Sequence, residues 1–280
     1  MADQEKKVAT KKNGEVAVAG PAMFEADAGI GMDLSQDDLA LPFLKIVSSE
    51  LLQQDEKLAE TAKLGDLVNS VSRQVYSAKT PLKVIPCHYE RRFLLWAPRG
   101  SGTGAPIQIF TPDETRPETR RDPDDNREYV EGGKGEYIDE THQHYILIVE
   151  EDGTLSNALI SMKSTQLKKS RQWNTMIATR SMVGANGVPF QPPRFSHVYN
   201  LTTTKEENSK GVWHGWKIDL DGPIEDANTY QAAKAFHTAI SAGDVTVKHE
   251  EAGPAPSKPK AATQAATQAT PEDNSDDIPW

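Results

Sequence analysis

Tyr145-Ile146-Leu147-Ile148-Val149, the turn Glu150-Glu151-Asp152-Gly153 and a second apolar run from Leu155 to Met162 decide how this chain is read. Two strand-forming runs around an acidic turn that ends in glycine are the signature of a β-hairpin. Directly after it, Ser164 or Thr165 can cap a helix running to about Met182, with Gly184 and Gly187 ending it. Trp173, Met176 and Ile177 share one face of that helix, and Lys168 and Arg171 point away from it. Pro189, Pro192 and Pro193 then break the chain before two more strands, Phe195 to Thr204 and Val212 to Leu220, joined through Asn208-Ser209-Lys210-Gly211. A final helix, roughly Asp226 to Ala242, packs through Tyr230, Ala233, Phe236 and Ile240.

Working upstream, Pro42 to Val47 reads as a short strand and Gly65 to Tyr76 as a second extended piece, with a polar helical or loop stretch between them. Residues 82 to 97 form a long strand candidate interrupted by Pro86, which cannot donate to a ladder and so implies an edge position or a bulge. Beyond the Gly100 to Gly104 loop and the run Ile107 to Phe110, residues 111 to 141 are nearly all polar and hold eleven acids, which reads as an inserted loop. The order of strands, hairpin, helix, hairpin and terminal helix predicts a mainly β chain with helices, of the α+β class. An OB-like Greek-key barrel, with a helix between its third and fourth strands, fits that plan; an unclosed sheet backed by helices fits it as well. One domain over residues 41 to 243 follows, with a flanking C-terminal helix. Disordered termini are expected at 1 to 40 and 244 to 280, because these segments have no sustained apolar period and the second is rich in Pro, Ala, Thr and Gln.

The net charge of -10 argues against a polyanion ligand until it is resolved by segment. The first forty residues carry eight acids and four bases, and residues 244 to 280 seven acids and three bases, which leaves the core close to neutral. Within the core no Asp or Glu occurs from Gly153 to Lys205, a stretch holding Lys163, Lys168, Lys169, Arg171, Arg180, Arg194 and Lys205. Such a stretch is the electrostatic footprint of a polyanion-binding face. Single-strand binding also needs aromatic faces on which bases stack. Period-two alternation sets Trp213 and Lys217 on one face of their strand, opposite Trp216, which is expected in the core; Tyr199 is either core or platform. On the long strand Arg92 and Trp96 share a side with His88, Arg99 follows, and Tyr89 lies on the other side.

Catalytic motifs are weak. His142-x-His144 beside Asp139 and Glu140 lacks the cysteines of a zinc set and reads as solvated, Gly100-x-Gly102-x-Gly104 precedes the wrong element for a dinucleotide fingerprint, and Gly132-Gly133-Lys134-Gly135 lacks the Walker spacing. No catalytic centre, metal or cofactor is expected. The lone Cys87 permits no intrachain disulfide and suggests a reducing compartment. With no signal-peptide pattern and no apolar run of membrane length, a cytoplasmic protein is expected.

The last residues, Asp276-Asp277-Ile278-Pro279-Trp280, join two carboxylates to two apolar anchors around a stiffening proline, a chemistry suited to a basic pocket with an apolar floor. This end is similar to the Asp-Asp-Ile-Pro-Phe tip of bacterial single-stranded DNA-binding proteins, with Trp280 in place of the terminal Phe; phage counterparts also end in acidic tails with a terminal aromatic. The resemblance implies binding and protection of single-stranded DNA in phage replication, recombination and repair. It also implies recruitment of a polymerase, helicase, primase or nuclease by the tip at 272 to 280, carried on a flexible linker at 244 to 271. A homo-oligomer is compatible with it. Two other classes remain open: a replication or transcription adaptor that binds only proteins, and a metal-dependent nuclease using Asp122, Asp124 and Asp125.

Overall fold

Both faces of the Tyr145 to Val149 run are buried, which explains its lack of polar alternation. Ile146 and Ile148 enter one core with Val84, Ile160, Trp173 and Leu201, whereas Tyr145 and Leu147 enter another with Ile85, Cys87, Leu159 and Phe236. This is seen in a computed structural model, which describes residue 30 and residues 40–101, 104–209 and 211–245. Apart from Ile30, Ala40, Asp244 and Val245, the segments expected at 1 to 40 and 244 to 271, with the whole tip at 272 to 280, lie outside the described residues.

In chain order the elements are β1 (Leu44–Ile46), α1 (Ser49–Gln54), α2 (Glu56–Thr61), β2 (Leu67–Asn69), β3 (Val75–Tyr76), β4 (Leu82–Trp96), β5 (Gln108–Phe110), β6 (Thr119–Arg121), β7 (Glu128–Val130), β8 (Tyr137–Val149) and β9 (Leu155–Lys163). A 3-10 turn over Ser164–Gln166 leads into α3 (Leu167–Ala178), followed by β10 (Met182–Val183), β11 (Pro189–Phe190), β12 (His197–Asn208), β13 (Gly211–Pro223) and α4 (Ala227–Ala242). The chain is thus mainly β with a few helices, in a curled antiparallel sheet, which agrees with the α+β expectation.

The chain divides into two compact units. The first comprises, among the described residues, 30, 40–89, 143–209 and 211–245. Its main sheet runs β13-β12-β4-β8 with β9 on β8, and two small sheets, β1-β2-β3 and β10-β11, accompany it. Trp173 and Ile177 of α3 enter the first core and Ala233, Phe236 and Ile240 of α4 the second. Asp226 caps α4 by accepting from the Thr229 amide at 2.6 Å, and Gly243 closes it in the left-handed conformation.

The second unit comprises, among the described residues, 90–101 and 104–142. There β5 pairs with the end of β4, and β6, β7 and the start of β8 pair in succession. Phe93, Phe110 and Ile138 form its small core. Within the expected inserted loop, eleven of the 31 residues lie in strands, where Thr119, Val130 and Ile138 supply strand partners among the charges.

Pro86 lies in β4 between the end of its register with β12, at Val84, and the start of its register with β5, at Phe93, so its missing N–H interrupts neither ladder. Two expectations need correction. Neither Ser164 nor Thr165 caps α3, which is entered through the 3-10 turn instead. The helix ends at Ala178, and Gly184 and Gly187 form the turn of the β10-β11 hairpin, with the Gly184 amide donating to the Val188 carbonyl at 3.0 Å.

Candidate nucleic-acid interface

In the first unit, the β12-β13 register sets Glu206 opposite Trp213 and Lys205 opposite His214. The Glu206 carboxylate accepts from Lys169 Nζ at 2.8 Å and from Trp213 Nε1 at 3.0 Å. The Lys169 hydrogen bond, then that of Trp213 and the charges of Lys169 and Lys168, hold the carboxyl below its usual range against a desolvation effect of opposite sign. Gly215 permits this arrangement, since a Cβ there would lie 2.7 Å from Glu206 Oε2. Gln166 ties the start of α3 to the same hairpin, its Oε1 accepting from the Trp216 amide at 3.0 Å. Lys163, Lys168 and Arg171 are exposed on β9 and α3. Lys217 is exposed and paired to Asp219 at 3.1 Å, in a geometry that constrains little. The expected Trp213 and Lys169 thus meet, but through an acid one residue beyond the acid-free stretch.

Two expected contact residues of this unit lie inside it. Tyr199 is 1% exposed and packs edge-on against Trp173 at 5.8 Å, so it presents no face to a base. Arg194 donates to His144 Nδ1 at 3.0 Å and to Asn174 Oδ1 at 2.9 Å and lies over the Tyr89 ring at 5.3 Å. Burial pulls its pKa down to about 10, and these contacts direct its guanidinium toward His144, Asn174 and Tyr89. Because arginine can only donate, His144 Nδ1 is an acceptor, and the neutral ring carries its proton on Nε2 toward Ser170 Oγ at 2.7 Å. His144 is fully buried and stacks on Trp173 at 4.6 Å; His142 is buried beside Glu140 at 3.0 Å. The histidine pair expected to be solvated is therefore structural. Tyr89, half-buried, also meets His144 at 5.1 Å. Burial pushes the Cys87 thiol up to about 12, which removes it as a nucleophile at neutral pH.

The second unit holds Arg92, Trp96 and Arg99. Arg92 pairs with Glu90 at 2.8 Å, Trp96 is half-buried and Arg99 is exposed. Sequence reasoning missed the residues around them: Arg116 lies over Phe93 at 3.7 Å, Arg127 over Tyr137 at 4.7 Å, and Arg120 is the register partner of Tyr129. Four arginines, Arg116, Arg120, Arg121 and Arg127, followed by Tyr129 and Tyr137 within the acidic run, were the available signal. The acids themselves are engaged in turns. Asp122 Oδ1 accepts from the Asp124 amide at 2.7 Å, and Asp125 accepts from Tyr129 Oη at 2.8 Å and the Arg127 amide at 3.0 Å. Those bonds, the tyrosine first, hold the Asp125 carboxyl below its usual range. Among the described residues no group of three or more His, Cys, Asp or Glu is placed to hold a metal ion, and no helix is long and apolar enough to cross a membrane. Asp276, Asp277, Ile278, Pro279 and Trp280 lie outside the described residues.

Fold and surface together define an α+β, mainly β protein in which cations and aromatics meet at two places, the α3 side of the β12-β13 hairpin and the β6-β7 hairpin. A family model described as Pam3 phage gp34-like protein matches residues 11–246, and the chain belongs to that family. Comparison with curated proteins and with solved structures found no match.

Proposed function

We propose that this protein binds and protects single-stranded DNA during phage replication, recombination and repair. The observation that carries the reading is the exposure of Lys163, Lys168 and Arg171 within a stretch of 53 residues free of acid, beside the hairpin that holds Trp213. Exposed cations release counterions when they meet phosphates, and a neighbouring indole accepts any base by stacking. Membership of a phage-associated family supports the setting. We read the hairpin, α3 and the second hairpin as an OB-like variant, with α3 filling one end of the sheet through Trp173 and Ile177. The tip at 272 to 280 recruits partner enzymes by inserting Ile278 and Trp280 into a basic-rimmed pocket. The protein works as a binder without catalytic turnover and acts in the cytoplasm of the infected host.

The site is tested by Lys168→Ala combined with Arg171→Ala in the full chain. Affinity for an oligonucleotide should fall at low salt, and the slope of log K against log salt should flatten by roughly 0.7 for each phosphate that is no longer neutralised. An unchanged slope with the fold intact contradicts the placement.

A further inference from the structure

We infer that the β6-β7 hairpin carries a nucleotide subsite, in which a single base enters a glycine-walled cavity over Tyr129 while its phosphate stays at Arg120. The inference rests on the single-strand-binding reading above and extends it to the second unit. The cavity, open and about 600 Å³ in volume, is bounded by Arg120, Asp122, Tyr129, Glu131 and the Gly132 to Gly135 turn. That size is within the range of small-ligand sites.

The turn is glycine by necessity. Gly132 and Gly135 hold φ of 71° and 107°, in the left-handed region, and a Cβ on Gly133 would lie 2.8 Å from Glu136 Oε2. Gly132, Gly133 and Gly135 thus present backbone to the cavity, along which a flat ligand can approach. Arg120 and Tyr129 are directly paired across the hairpin and therefore share a face. Tyr129 Oη is engaged by Asp125 and its ring meets Tyr137 edge-on at 6.1 Å, so the platform is held in place.

The lining selects among ligands. A free anion inside the cavity would face the carboxylates of Asp122 and Glu131, so the enclosed group is not anionic, a condition that a neutral base meets. Carboxylates accept hydrogen bonds, and the exocyclic amino group of cytosine offers donors where thymine offers an oxygen acceptor. A base in the cavity can donate to the Asp122 or Glu131 carboxylate while its phosphate meets the exposed Arg120 at the rim. The subsite accordingly favours cytosine over thymine.

The test is anisotropy titration of the full-length protein with labelled oligo-dC and oligo-dT at one fixed salt concentration. The parent should bind oligo-dC more tightly. Tyr129→Ala and Arg120→Ala should each weaken oligo-dC binding roughly tenfold and bring the two oligonucleotides closer together, whereas Tyr129→Phe, which keeps the ring and loses only the bond to Asp125, should lose much less. Arg120 is exposed, so its variant keeps the test valid even where loss of Tyr129 disturbs the hairpin. If the parent binds single strands but neither alanine variant differs from it, the subsite is wrong and the broader reading stands. Equal parental affinity for dC and dT overturns the base selection. A parent that binds no single strand overturns both.

Discussion

Glu206 shows how one residue changes the meaning of a charge count. Lys169 belongs to a long acid-free stretch of sequence, which aims it at phosphate, yet the cross-strand register brings Glu206, the first acid beyond that stretch, to within 2.8 Å of its ammonium. Linear spacing does not contain that pairing; it depends on where β12 meets α3. Glu206→Gln keeps an acceptor for Trp213 and removes the charge that neutralises Lys169. Single-strand affinity should therefore rise several-fold at low salt, with a steeper salt dependence, in a filter-binding titration; lower affinity would mean that the ordered Lys169 geometry matters more than its free charge. His197 supplies a second prediction at this scale. Burial and the positive charge of Arg180 depress its pKa, so the folded state binds its proton less readily than the unfolded state does. The associated stability is present above the unfolded value of about 6.5 and is lost as pH falls through the folded one. Urea denaturation of the parent should show that loss on acidification and His197→Gln should show less of it; equal pH slopes would remove His197 as its source. Arg194 and Tyr199 are visible in the sequence as a cation and an aromatic, but their burial follows from packing against His144 and Trp173, residues 50 and 26 positions away.

Among the elements, the hairpin around Glu150 to Gly153 and the terminal helix are legible because their signals are local. An acidic turn with Gly153 at positive φ and a capping aspartate each act within a few residues. Asp226→Ala removes the acceptor for the Thr229 amide and should lower stability, read as a downward shift in the denaturation midpoint at unchanged slope. No shift would mean that another group replaces the cap. The less legible elements depend on long-range partners. Gly184 and Gly187 look like stop signals and so extend the expected helix to Met182, but the chain bends earlier: Gln191 Nε2 donates to the Ala178 carbonyl at 3.0 Å and β10 pairs with β11. Likewise the run from 111 to 141 looks like a solvated loop because acids obscure its strand formers. Its β6-β7 hairpin is laced by pairs such as Arg121 with Glu128 at 2.8 Å, in which opposite charges make a polar sequence compatible with a sheet.

For the whole molecule, the acidity of the chain and its proposed ligand are compatible because the charge is unevenly distributed. The net charge of -10 is drawn largely from segments at the two ends of the sequence, and the exposed cations of α3 occupy the part that carries none of it. The α+β class can be read from element order, whereas the division into two units cannot, since β4 and β8 each continue from one into the other as unbroken strands. Family membership over residues 11–246 spans both units. The most direct test of the central claim is a filter-binding titration of the full chain against single-stranded and duplex DNA of the same sequence at two salt concentrations. Single strands should bind more tightly than duplex at both, with affinity falling as salt rises. Equal affinity for the two forms, or no binding to either, would contradict the account.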